Sequence, residues 1–260
     1  MARFKGLLRR PAGAVFIAAI ALLVLLSGAK MAGADSRKLV TQSDWPWQAI
    51  GRVNMANGGY CTGTLVAPRT VLTAAHCLRD KRTNQRAALQ RLHFVAGYQR
   101  GEHLAHGRVV GVVTPAATTD GTGDHSSADR IPGNDWALLT LDRDLSDAVA
   151  PVPVMALDAA GLLALTKQNA GFIQAGYRRG QAHALTVDHD CDLGKIDPVR
   201  KVLLHKCKIV SGDSGGPILA RFNNSFALIA VNIGHTKSRA PGFDGYSIAI
   251  PGSTFGKLID

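Results

Sequence analysis

The stretch CKIVSGDSGGPIL, from Cys207 to Leu219, places a serine among glycines near the end of a 260-residue chain. Its centre, Gly212-Asp213-Ser214-Gly215-Gly216, fits the pattern G-x-S-x-G. Such a run can be an elbow between a strand and a helix that exposes a nucleophilic serine. It can also be a nucleophile loop between strands, or a plain Gly-rich turn. The surroundings decide. An elbow needs parallel strands alternating with long helices, and an acid and then a histidine further along the chain.

Outward from this stretch the text is strand-like. Short apolar runs cover 45–53, 62–67, 71–75, 92–96, 108–113 and 136–141, with Gly, Pro, Asn and Asp between them. A Pro- and Ala-rich segment, VAPVPVMALDAAGLL from Val149 to Leu163, reads as a domain connection. Strand-like runs resume at 170–175, 184–187, 202–204, 217–220, 226–233 and 246–250. Helical periodicity is scarce. A turn or more of helix is expected after His76, and a short C-terminal helix over Ser253 to Leu258. Many short strands point to antiparallel barrels or a sandwich, and count against a doubly wound sheet.

The first 34 residues have the layout of an export signal. Arg3, Lys5, Arg9 and Arg10 precede the apolar run AGAVFIAAIALLVLL, and Ala32-Gly33-Ala34 offers a small-x-small cleavage site. The apolar run is short for a membrane span, so a cleaved signal is preferred to an anchor. The formal charge of +11 falls to +6 when this segment's five Lys/Arg, unaccompanied by acid, are removed. That modest balance, without interleaved aromatics, gives no case for nucleic-acid binding. Export also makes the four cysteines read as disulfides. Chain order groups them as Cys61–Cys77 and Cys191–Cys207, each pair 16 residues apart. A zinc site is the weaker reading, because no C-x2-C spacing occurs.

A serine hydroxyl is a poor nucleophile at neutral pH. It needs a base in reach, and the base needs a partner that fixes its tautomer. His76 in VLTAAHC follows an apolar run and precedes Cys77. Asp135 in GNDWALLTLD sits at the entry to another apolar run. Glycines around Ser214 let the N–H groups of Gly212 and Ser214 turn to a common point, as an oxyanion hole requires. Taken singly, each has a plainer reading: a structural histidine, a turn aspartate, a loop. The order is His, Asp, Ser. After Ser214 comes only His235, 21 residues on, which leaves no room for the units an elbow fold would need.

Together VLTAAHC, DWALL and GDSGGP resemble the trypsin/chymotrypsin family of serine proteases. DWPWQAIGRV is similar to that family's first strand, and CTGTLVAPRTVLTAAHC to its disulfide-bracketed histidine segment, so the likeness runs from about Trp45 to the C-terminus. The resemblance implies an all-β fold of two antiparallel six-stranded barrels with the site in the cleft between them. Residues 35–150 would form the barrel carrying His76 and Asp135, and 151–260 the barrel carrying Ser214. His76 would be general base and acid, Asp135 its orienting carboxylate and Ser214 the nucleophile, with Gly212 and Ser214 as oxyanion donors. The implied activity is an exported serine endopeptidase, monomeric, secreted or periplasmic, acting on protein or peptide substrates without a cofactor or metal and without stable membrane association. The alternative is a protease-fold binding protein with little turnover.

Three departures stand out. Family zymogens are activated by a cut whose new α-ammonium pairs with the Asp before the serine, here Asp213. Signal removal would instead leave Asp35 first, followed by SRKLVTQSDWPWQ, and a cut near Arg37 or Lys38 would leave Lys38 or Leu39 on a short arm. In ALIAVNIG, Asn232 stands where a serine usually supports the catalytic Asp, and Ile233 and Gly234 would line the substrate groove. Lys208 sits where trypsin carries the acid that selects Lys or Arg. It would favour an acidic P1 residue or point into solvent, the latter slightly preferred. His235 and Asp244 are further pocket candidates. DHDCD, from Asp188 to Asp192, is the densest ligand-type cluster but reads as a polar turn beside a disulfide.

Overall fold

Apart from Met1, the computed structural model describes residues 37–80, 83, 85–115, 132–189, 191–235 and 245–259. The expected signal segment and its cleavage site at Ala34 lie outside the described residues, as does Asp244. The chain divides into Met1–Asp35 and a compact unit, Ser36–Asp260, which contains everything below.

Six strands form a closed barrel: β2 (Ile50–Met55), β3 (Tyr60–Ala67), β4 (Thr70–Thr73), β5 (Leu92–Ala96), β6 (Ala105–Val113) and β7 (Ala137–Leu141). Their order around it is β2-β3-β4-β7-β6-β5, all pairs antiparallel. The interior is filled by Val53, Leu65, Val71, Phe94, Leu139 and Leu141, each at most 1% exposed, while Ile50 and Leu72 are buried on the opposite face of the strands. Closure removes the strand edges that an open sheet would leave unpaired.

The second sheet has eight strands: β1 (Lys38–Leu39), β8 (Gly171–Gly176), β9 (Thr186–Asp188), β10 (Leu193–Asp197), β11 (Val202–His205), β12 (Pro217–Phe222), β13 (Ser225–His235) and β14 (Ser247–Pro251). Their order is β1-β9-β8-β12-β13-β14-β11-β10. Six central strands are flanked by two edge strands, β1 and β10, that no apolar run in the sequence marks. β1 has two exposed residues, and β10 lacks full burial anywhere along it, so neither has the apolar run that signals a strand.

Other differences are local. WQA, Trp47–Ala49, forms a 3-10 turn, so the first barrel strand starts at Ile50 rather than Trp45. The expected C-terminal helix is instead two 3-10 turns, Gly252–Thr254 and Gly256–Leu258. An α-helix, α1 (Ala159–Lys167), lies where the sequence reads as a connection. Asp158 caps it by accepting from Gly161 N–H at 2.7 Å, and Leu162 and Leu165 are its buried face. The segment is only nine residues long with two anchors, too little for periodicity to show.

Candidate active site

Register in the barrel brings His76 and Asp135 together. Thr73, the last residue of β4, pairs with Ala137, the first of β7. His76 lies three residues past Thr73, in a 3-10 turn over Ala75–Leu78, and Asp135 lies two residues before Ala137. Antiparallel pairing therefore carries the two chain ends past each other at the same barrel rim. Asp135 grips His76 at two points: Oδ1 accepts from the His76 backbone N–H at 2.8 Å, and Oδ2 meets Nδ1 at 2.7 Å. An ionised carboxylate only accepts, so this contact assigns the proton to Nδ1 and leaves Nε2 as the basic nitrogen. Both side chains are about 30% exposed, 31% for His76 and 27% for Asp135. The Cys61–Cys77 disulfide, with Cα atoms 6.0 Å apart, ties the residue after His76 to β3.

The serine turn docks at the same rim. The β3–β4 ladder runs to the pair Thr64–Leu72 and stops. Thr62, one step further along β3 on the same face, is fully buried and finds other partners. Its N–H donates to Ser214 O at 2.9 Å, and its carbonyl accepts from Thr73 Oγ1 at 2.8 Å. Its hydroxyl donates to Gly212 O at 2.8 Å and accepts from Tyr177 N–H at 2.9 Å. The approach is so close that a Cβ on Gly215 would overlap Thr73 Oγ1 and Thr62 O, and its φ of +78° is itself a glycine conformation. The turn thus sits against the strand end from which the chain passes into the His76 turn.

Inside the turn the N–H groups of Asp213, Gly215 and Gly216 donate to Val210 O, Asn232 O and Asp213 O. Those of Gly212 and Ser214 have no acceptor among the described residues. Each follows a carbonyl that is already fixed: Ser211 O accepts from Arg179 N–H at 2.6 Å, and Asp213 O from Gly216 N–H at 2.9 Å. In a trans peptide the N–H points opposite the carbonyl, so both donors are aimed away from these bonds and left unspent. Asn232 belongs to the framework here. Its backbone holds the turn on both sides, N–H to Gly216 O and carbonyl to Gly215 N–H, and its side chain is fully buried.

Beneath the turn lies an ion pair. Arg37, just before β1, places Nη1 2.6 Å from Asp213 Oδ2, with side-chain exposures of 1% and 0%. Arg37 also donates to Thr186 O at 3.0 Å, and Asp213 Oδ2 accepts from Val210 N–H at 2.9 Å. The Lys208 side chain is exposed, and only its carbonyl turns inward, 3.5 Å from Arg37 Nη1. Ile233 and Gly234 are half-buried on β13, and His235 at its end is exposed. His235 Nδ1 lies 3.1 Å from Ser247 Oγ. His205, behind them, is fully buried, and burial foremost, with the His235 charge second, pushes its pKa down from 6.5 to about 3. Cys191 and Cys207 are disulfide-bonded with Cα atoms 4.7 Å apart. The two Cys/His clusters among the described residues, Cys61-His76-Cys77 and Cys191-His205-Cys207, have both sulfurs committed to those bonds, leaving too few ligands for a metal.

Residues 36–259 match the sequence model of the family described as Trypsin. The chain belongs to the trypsin family. Family membership makes it a serine-type endopeptidase acting on protein or peptide substrates. Its fold is similar to that of a Glu endopeptidase, solved in complex with MPD, at a TM-score of 0.65 and 16% identity, covering 87% of this chain and 95% of that one. It is also similar to the protease Anisep from Arthrobacter nicotinovorans, at a TM-score of 0.61 and 18% identity, covering 86% of this chain and 99% of that one.

Two residues of this trypsin-family site were not singled out from the sequence. Thr62 carries no signal of its own, because its importance lies in where the β3–β4 ladder stops. Arg37 entered the sequence reading only as a place for a cut. Its clue was a basic pair, Arg37-Lys38, in the short arm of a chain whose Asp213 needs a cation.

Thr62→Val keeps the side-chain shape but leaves Gly212 O and Tyr177 N–H unsatisfied. It should cost about 1–3 kcal/mol per orphaned group in urea unfolding, and lower kcat more than it raises KM. His205 gives a pH signature. Above pH 6.5 it is neutral in both folded and unfolded chains. Between 6.5 and about 3 the unfolded chain binds a proton that the folded one refuses, so stability should fall as pH drops through that window. His205→Asn should flatten the slope when urea midpoints are compared at neutral and acid pH.

Proposed function

We propose that the chain is an exported serine endopeptidase in which Ser214, His76 and Asp135 form an acyl-enzyme mechanism. Residues 1–34 act as a cleaved signal, and the mature protein is a secreted or periplasmic monomer. Two disulfides and the family membership support an extracellular setting. Among the described residues no helix is long and apolar enough to cross a membrane. Residues 35–150 then supply the base and its carboxylate, and 151–260 the nucleophile.

The observation that carries the reading is the two-point grip of Asp135 on His76 at the rim where the serine turn docks. Nε2 of His76 takes the Ser214 proton as Oγ attacks the peptide carbonyl. The tetrahedral oxyanion is received by the unspent N–H groups of Gly212 and Ser214, each such donor contributing about 3–4 kcal/mol to lowering the barrier. His76 then protonates the leaving amine, and water repeats the cycle. Asn232 supports the turn through its backbone, and Ile233 and Gly234 line the groove for the substrate chain.

For selectivity we infer an acidic P1 residue in preference to a basic one. Lys208, at the position where trypsin has its selecting acid, offers no carboxylate, and its exposed side chain leaves the polar role to His235 and Ser247. One of the similar folds is that of a Glu endopeptidase, which is consistent with this choice.

A fluorophosphonate probe should label the mature protein and fail on Ser214→Ala. A wild type that folds but takes no label would favour the binding-only alternative. In a peptide-library profile, Glu and Asp should be enriched at P1, and enrichment of Arg or Lys would sink the selectivity reading.

A further inference from the structure

We infer that Arg37 is the positioning residue of the serine turn, its guanidinium supplying from within the chain the positive charge that a cut α-ammonium would otherwise bring to Asp213. The inference rests on the Ser214 mechanism proposed above. It begins from a physical problem. Asp213 is fully buried, and a carboxylate in that setting is costly unless it is both paired and hydrogen-bonded. Arg37 Nη1 at 2.6 Å and Val210 N–H at 2.9 Å meet both needs on the same oxygen, Oδ2.

The pair reaches the oxyanion donors through one residue. Asp213 contributes the carbonyl half of the peptide that carries the Ser214 N–H, and the Gly212 N–H lies one residue back in the turn that Asp213 closes. Its backbone closes the turn as well, with N–H donating to Val210 O and carbonyl accepting from Gly216 N–H. Arg37 is in turn anchored independently of the turn. It donates to Thr186 O, and the next two residues, Lys38 and Leu39, pair with Val187 and Thr186 of β9. A cation held by the second sheet therefore sets the conformation of the turn.

Two consequences follow for maturation. A chain beginning at Asp35 already contains Arg37 and needs no further cut. A chain beginning at Lys38 lacks the guanidinium, and because β1 is paired to β9 its new ammonium lies a full arginine side chain away from Asp213. Trimming after Arg37 switches this enzyme off, the reverse of zymogen activation.

The test compares the mature chain with the same chain carrying a Gly-Ser extension at its N-terminus, with a chain starting at Lys38, and with Arg37→Lys and Arg37→Gln. Readouts are kcat and KM on a peptide substrate, fluorophosphonate labelling rate, and amide hydrogen exchange across 210–216. The extension should leave kcat unchanged. Arg37→Gln and the Lys38 chain should lose about 10²–10³-fold in kcat, the size of effect that loss of an oxyanion donor produces, with less change in KM. Arg37→Lys should be intermediate, and millimolar guanidinium should partly restore Arg37→Gln. Exchange should quicken at 210–216 and not in β2 to β7.

Abolition of activity by the extension, or wild-type kcat and exchange in Arg37→Gln, would overturn the inference. If Arg37→Gln does not fold, the pair Arg37→Gln/Asp213→Asn removes the buried charge altogether. Lost labelling in that folded double variant sustains the inference, and wild-type labelling overturns it. If the wild type itself takes no label, the endopeptidase mechanism falls, while the exchange comparison still decides what Arg37 does.

Discussion

Thr62 joins the serine turn to the first barrel and has every polar group it carries engaged in doing so or in bracing the barrel end. Its N–H goes to Ser214 O, its hydroxyl bridges Gly212 O and Tyr177 N–H, and its carbonyl takes Thr73 Oγ1. These bonds exist because the β3–β4 ladder stops at Thr64–Leu72 and leaves the next strand position open to a partner from elsewhere in the chain. Backbone groups buried at a ladder end must be satisfied, and here the N–H finds the nucleophile turn and the carbonyl finds the Thr73 hydroxyl. The rim that holds His76 and Asp135 is therefore also the rim that holds Ser214.

The remaining polar groups of the region are distributed with the same economy. Asp213, Asn232 and His205 are all buried behind the turn or the strand that supports it. Each is a liability in an apolar interior, and each is handled differently. Asp213 has a guanidinium and a backbone N–H. Asn232 engages the turn through both of its backbone groups, while its side-chain Oδ1 and Nδ2 are buried without a hydrogen-bond partner among the described residues. His205 gives up its charge, its pKa falling to about 3. In the turn itself the Gly212 and Ser214 N–H donors are unspent, which is what a site for transient negative charge requires.

Much of this could be read from the amino-acid text. The strand-rich pattern and the His, Asp, Ser order exclude an elbow fold, and the core of most strands lies where the apolar runs place it. Both disulfides close the pairs that chain order suggests. What the text hid were elements without a pattern. β1 is two exposed residues, α1 has two buried leucines in nine residues, and β10 has no fully buried position. The position of Lys208 leaves two directions open, pocket or solvent; its side chain is exposed and its carbonyl faces inward.

By itself the sequence determined the fold class, the family, and the residue types that serine chemistry demands in their chain order. It could do so because periodicity and local motifs are written in neighbouring residues. The tertiary structure alone decided the partner of Asp213, the junction at Thr62 and the direction of Lys208. Each of these depends on contacts between residues far apart in the chain, 176 apart for Arg37 and Asp213 and 150 for Thr62 and Gly212. Local sequence carries no record of such distances. They are set when the sheets fold and buried polar groups are brought to their partners.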